Sequence, residues 1–158
     1  MKMKKIIFLL ILIFTLSGCQ DEVKFNDPAF QGLKQGILWR ATSFDAKQTS
    51  NGFLVFTATK GYETITIRTD QVIPHTSQFG TNIDNFAEFV NNSIEFQNKY
   101  STGFGEGKGE IIITDYSNGT VSGSFNFIAI NTDTSINSPD AINFSKGAFY
   151  GVPVVIIP

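Results

Sequence analysis

The stretch GEIIITDYSNGTVSGSFNF, residues 109–127, constrains the fold of this chain more than any other. On both sides of the turn signal Tyr116-Ser117-Asn118-Gly119, apolar side chains recur at alternate positions, the period of a half-buried strand. Two loop lengths compete. A two-residue Asn118-Gly119 loop sets Ile111 opposite Asn126 and Ile113 opposite Ser124. A three-residue loop, with Gly119 left-handed as a bulge, sets Ile111 opposite Phe125 and Ile113 opposite Gly123. A one-residue slip turns every side chain to the other face, so the two are exclusive, and matching apolar with apolar selects the second. Ile111, Ile113, Val121, Phe125 and Phe127 are then expected in the core.

The rest of the chain reads the same way. Gly52 to Thr59 and Tyr62 to Thr69 flank Lys60-Gly61, where glycine supplies the positive φ of a hairpin turn. Either Leu54 pairs with Ile67 and Phe56 with Ile65, or a longer loop turns Phe53 and Val55 inward; both registers give an apolar face. Ile83, Phe86, Ala87 and Val90 fit helical spacing, but Asn91-Asn92 suits a turn that would pair Phe89 with Ile94 and Ala87 with Phe96. Strands are the favoured reading. Ala141 to Tyr150 and Val152 to Ile157 form the last expected pair, with Pro153 suggesting an edge. Of the 16 phenylalanines, 14 lie beyond Cys19, among Ile, Val and Thr, which suit pleated surfaces. The expectation is all-β: a single antiparallel β-sandwich or partly open barrel built from hairpins, over residues 36–158.

Ahead of that domain stands a different kind of segment. Lys2, Lys4 and Lys5 precede the apolar run Ile6 to Leu16, and Ser17-Gly18 lead into Cys19, the only cysteine. These are the three parts of a secretory signal, and the run is shorter than the ~20 residues that span a bilayer. Leu16-Ser17-Gly18-Cys19 resembles the lipobox of bacterial lipoproteins at every position. The resemblance implies a signal peptide over residues 1–18, removed after Cys19 is acylated, and a stable anchor made by several acyl chains. Gln20-Asp21-Glu22 is similar to the acidic export signal of Bacteroidota lipoproteins. It implies an outer-membrane location, with exposure at the cell surface favoured over the periplasmic face. Residues 19–35 are read as the lipidated cysteine and a flexible tether, whose portion from Asp21 reaches about 50 Å at ~3.3–3.6 Å per residue.

Charge and cysteine usage exclude several classes. Without residues 1–18, nine basic residues face 14 acidic ones, a net charge of −5. A nucleic-acid partner needs a basic footprint, which this balance denies. With no second cysteine there is no disulfide framework, so an exported domain of this length depends on a hydrophobic core.

The strand segments carry a family likeness. Gly36-Ile37-Leu38-Trp39-Arg40-Ala41, the stretch 109–127 and FSKGAFYGVPV (residues 144–154) resemble segments of an uncharacterised family of small β-rich Bacteroidota lipoproteins, a domain of unknown function. That likeness implies an antiparallel β domain on a lipid anchor and no established activity.

Candidate chemistry is sparse. His75 is the only histidine; a triad needs a nucleophile and an orienting carboxylate around it, and the loop 72–77 suggests a solvated residue. Residues 103–109, GFGEGKG, depart from the phosphate-binding pattern, which requires glycine where Thr102 stands and Ser or Thr where Gly109 stands. Asn131, Asp133, Ser135 and Asn137 place side-chain oxygens at alternate positions as calcium loops do, yet the turn glycine and bidentate glutamate are absent. They are weak calcium candidates in a loop of turn-forming residues. No cofactor is expected and no catalytic residue is assigned. The favoured function is a non-enzymatic, lipid-anchored envelope protein that binds a protein or glycan partner through loops or a strand edge. The alternative is a small barrel carrying an apolar ligand, with a hydrolase a more distant one.

Overall fold

The structure is a computed structural model that describes residues 29–95, 97–133 and 138–158. The signal segment, Cys19 and residues 20–28 therefore lie outside the described residues. Eleven strands follow one another: β1 (Ala29–Lys34), β2 (Ile37–Arg40), β3 (Ser43–Gln48), β4 (Leu54–Lys60), β5 (Glu63–Thr69), β6 (His75–Phe79), β7 (Phe86–Asn92), β8 (Gln97–Ser101), β9 (Lys108–Ser117), β10 (Thr120–Asn131) and β11 (Ala141–Ile156). The expected tether to residue 35 is corrected at its end. Ala29–Lys34 is a strand with Ala29 and Phe30 buried, because its apolar side chains complete the core beside β11. The polar residues Gln31 and Lys34 had masked that role.

One continuous sheet folds over on itself. The strands β2-β1-β11-β10-β9-β6 form one layer and β3-β4-β5-β7-β8 the other. Two corners join them: the end of β11 pairs with β3 (Val154↔Ala46 to Ile156↔Gln48), and the end of β10 pairs with β8 (Ile130↔Ser101, Asn131↔Tyr100). The result is a sandwich closed at both corners into a flattened barrel. All pairings are antiparallel except β11 with β3.

Phenylalanine rings fill the space between the layers. Phe30 on β1 lies 6.3 Å from Phe56 on β4, and Phe56 lies 4.6 Å from Phe149 on β11. Toward the other end, Phe89 on β7 meets Phe144 at 5.5 Å, with Trp39 edge-on to Phe144 at 6.0 Å. Trp39 is buried, and its indole N–H donates to Glu63 Oε2 at 2.6 Å, while Lys34 pairs with the other oxygen of that carboxylate. That clasp ties β1 and β2 to β5 across the layers.

The hairpins show how register is set. Ile111 faces Phe125 and Ile113 faces Gly123, as expected, and the five expected side chains are buried. The cause differs from the expected one. The loop has two residues, Asn118 (φ 52°) and Gly119 (φ 75°), the doubly positive pair of a type I′ turn. The extra residue sits instead at a bulge in β9, where Asp115↔Ser122 gives way to Ile113↔Gly123. In the β4–β5 hairpin neither expected register holds. The loop is Gly61-Tyr62, with Lys60 opposite Glu63 and Phe56 opposite Ile67, and glycine at the first loop position has φ 59°.

Residues 86–92 are a strand, but the turn after them falls beyond Asn91-Asn92. Asn92 faces Gln97 and Phe89 faces Tyr100, which buries Tyr100 and leaves Ile94 exposed in the turn. The expected pair at the C-terminus is one 16-residue strand. Two one-residue shifts against β10, near Lys146 (φ 49°) and Gly151 (φ 59°), bend it. They keep Phe144, Phe149 and Val152 all inward, which an unbroken alternation could not do.

Candidate binding groove

Bulges fall on β9 and β11 while β10 between them carries no extra residue, and small residues lie along this part of the three strands. Ser122, Gly123, Ala148 and Gly151 floor an open groove of about 600 Å³ on the outer face of the six-stranded layer. Thr114, Asp115, Ser117 and Thr120 wall one side and Tyr150, about half exposed, the other. The hydroxyls are already engaged: Thr114 donates to Ser122 O at 3.1 Å, Thr120 to Ser117 O at 3.1 Å, and Ser117 to Asp115 Oδ2 at 2.7 Å. Ser122 Oγ accepts the Gly151 N–H at 3.0 Å. Tyr150 lies opposite Ala29 in the ladder, so the chain enters the domain beside this groove.

A second depression, of about 480 Å³, continues along the same face. Gln78, Glu110 and Asn126 cross it from β6 to β10, with the Gln78 amide donating to Glu110 Oε2 (2.9 Å) and the Asn126 amide to Oε1 (3.2 Å). Lys108, Asn143 and Ser145 line its other sides.

His75 is not a solvated loop residue. Its side chain is 11% exposed, with Nδ1 2.6 Å from Ile73 O, so that nitrogen carries a proton and donates. Nε2 lies 2.8 Å from Thr69 Oγ1, Thr69 lies 3.0 Å from Ser77 Oγ, and Ser77 donates to Asp70 Oδ1 at 2.8 Å. Asp, His and two hydroxyls thus meet where sequence reading placed none of them together. The short 70–74 connection folds the ring back over Thr69, a contact that sequence periodicity does not carry. Both hydroxyl-bearing residues are buried, whereas a nucleophile must reach a substrate atom. The cluster pins the β5–β6 connection.

Of the weak calcium candidates, Asn131 spends its Oδ1 on the Asp133 N–H at 2.9 Å, a turn within its own loop, while Ser135 and Asn137 lie outside the described residues. The glycines of 103–109 form the β8–β9 corner. At Gly109 a Cβ would stand 2.2 Å from Asn126 O and at Gly107 2.5 Å from Ile128 O, so close backbone approach accounts for these two, and a φ of 77° accounts for Gly105. Among the described residues, the Tyr100 phenol is pushed up by burial, against a smaller opposing effect of its hydrogen bond with Ser138.

Comparison with known proteins gives two matches. Residues 3–20 match the prokaryotic membrane lipoprotein lipid attachment site, a span that contains Cys19. The protein is thus a membrane-anchored lipoprotein. No curated protein and no solved structure shows significant similarity. Residues 26–153 match the family described as domain of unknown function DUF6252, a span that begins just before β1 and ends within β11. The chain belongs to the DUF6252 family.

Proposed function

We propose that the chain is a non-enzymatic, lipid-anchored envelope protein that holds a partner on the outer face of its six-stranded layer. One observation carries this reading: the space between the layers is filled by rings 4.6–6.3 Å apart, while two open grooves lie in line on the outer face. A photo-crosslinking residue at Tyr150 of the full-length protein in cells is expected to trap a discrete partner. The same residue at Ile94, in the β7–β8 turn, is expected to trap none. Equal labelling at both positions would sink the reading.

Cys19 is the acylated residue in this proposal, residues 1–18 are removed, and Gln20-Asp21-Glu22 direct the protein to the outer membrane and its surface. Cys19→Ala is expected to abolish palmitate labelling and leave uncleaved precursor; persistent labelling contradicts it. Protease added to intact cells is expected to degrade the domain. The alternative, a carrier of apolar ligand, needs room where the phenylalanine rings now pack. A fatty-acid thermal-shift series is accordingly expected to be flat.

A further inference from the structure

We infer that the two grooves form one glycan-binding track along β10, an inference that rests on the reading just proposed and names the ligand class. The side chains of Ser122, Ser124, Asn126 and Ile128 leave the outer face of β10 at alternate positions, because β10 itself carries no extra residue and its pleat turns Val121, Phe125 and Phe127 inward. At ~3.4 Å per residue this row runs about 20 Å and passes through both grooves. A line of that length suits an extended chain better than a compact small molecule.

The hydrogen-bond inventory gives the chemistry. Thr114, Thr120 and Ser117 have spent their single O–H donors within the protein, so each offers lone pairs outward. Gln78 and Asn126 each donate one N–H to Glu110, leaving each amide its oxygen as acceptor and its second N–H as donor. Ser122 accepts from Gly151 and keeps its own proton to give. An acceptor-rich surface with scattered donors matches a polyol, whose hydroxyls both give and accept. Tyr150, 49% exposed, adds an aromatic face for the C–H side of a sugar ring, its phenol remaining wet.

Two competing ligands fit less well. A cation would rely on Asp115 in one groove and Glu110 in the other, but an exposed carboxylate contributes little net attraction, both Glu110 oxygens already accept from Gln78 and Asn126, and Lys108 lines the same groove as Glu110. An extended peptide that binds by strand addition needs a free edge, and both edges of β10 are taken by β9 and β11.

The test is calorimetric titration of the full-length lipidated protein in nanodiscs with cellohexaose, maltohexaose, mannohexaose and a peptidoglycan glycan-strand fragment. At least one is expected to bind saturably. Tyr150→Ala is expected to weaken it about tenfold, the size of a lost aromatic contact. Tyr150→Phe keeps it, and Asn126→Ala weakens it from the second groove. Melting temperatures of the variants confirm folding. Binding indifferent to both Tyr150→Ala and Asn126→Ala overturns the track, as does equal binding of tetramethylammonium. If no glycan binds while the Tyr150 crosslink still traps a protein, the ligand class is wrong and the binding face stands. If both fail, the proposed function falls too.

Discussion

A methyl group added at Gly123 would stand 2.0 Å from Ile112 O and 2.6 Å from the Phe149 ring; at Gly147 it would stand 2.5 Å from Phe125 O and 2.6 Å from the Phe125 ring. The two sites are reciprocal, since Phe125 pairs with Gly147 and Gly123 with Phe149 across β10 and β11. Each ring lies over the glycine opposite it, and an added side chain must displace a core phenylalanine. Gly123→Ala and Gly147→Ala are each expected to cost about 1–3 kcal/mol, the range for overpacked cores, read from urea midpoints. Because both rings stack on Phe30, the two sites are coupled and the double variant should cost less than the sum. A second residue-scale expectation concerns pH. Tyr100 is buried and its phenol is raised above its ordinary value near 10. The native state therefore holds this proton more tightly than the unfolded chain. Its stabilising contribution is complete below pH ~10 and declines as pH rises from there through the raised native value. Alkaline melting curves are expected to show that loss in the parent protein and less of it in Tyr100→Phe. Neither feature was legible beforehand: glycine in a strand announces a close approach without naming its partner, and Tyr100 had no assigned neighbour.

Turns and bulges decide the elements. The core side of the β9–β10 hairpin was readable because five apolar residues had to share a face. The device was not, since one extra residue in the loop and one in a strand produce the same pairing further along the ladder. The same ambiguity hid β11. A break in alternation near Gly151 reads as a turn, yet a bulge also changes the parity of a strand. Lys146 occupies the first bulge with φ 49°, a conformation that costs an L-residue ~1–2 kcal/mol, more than glycine's added chain entropy. Lys146→Gly is expected to raise stability by about 0.5–1 kcal/mol, and Lys146→Val to lower it, by thermal melts.

At the scale of the molecule, closure rests on a few residues at each corner. Val152 is fully buried, and the three pairs from Val154 to Ile156 hold β11 to β3. Truncation after Gly151 removes the buried valine, the pairs and the partly buried Val154. The expected loss is about 3–5 kcal/mol, a large part of the ~5–15 kcal/mol typical of a domain. The exposed Ile156 changed to Ser should barely move the urea midpoint. The sequence by itself determined that the domain is all-β, which residues of its clearest hairpin face inward, and that a lipoprotein attachment signal precedes it. Each is a local property, set by a two-residue period or by a short contiguous motif. Only the tertiary structure decided that β1 belongs to the domain, that one long bent strand closes two layers, and that the outer face carries two grooves in line. Those depend on pairings between residues as far apart as Ala29 and Tyr150. No local pattern encodes them, because the free energy that selects them comes from fitting distant apolar faces together.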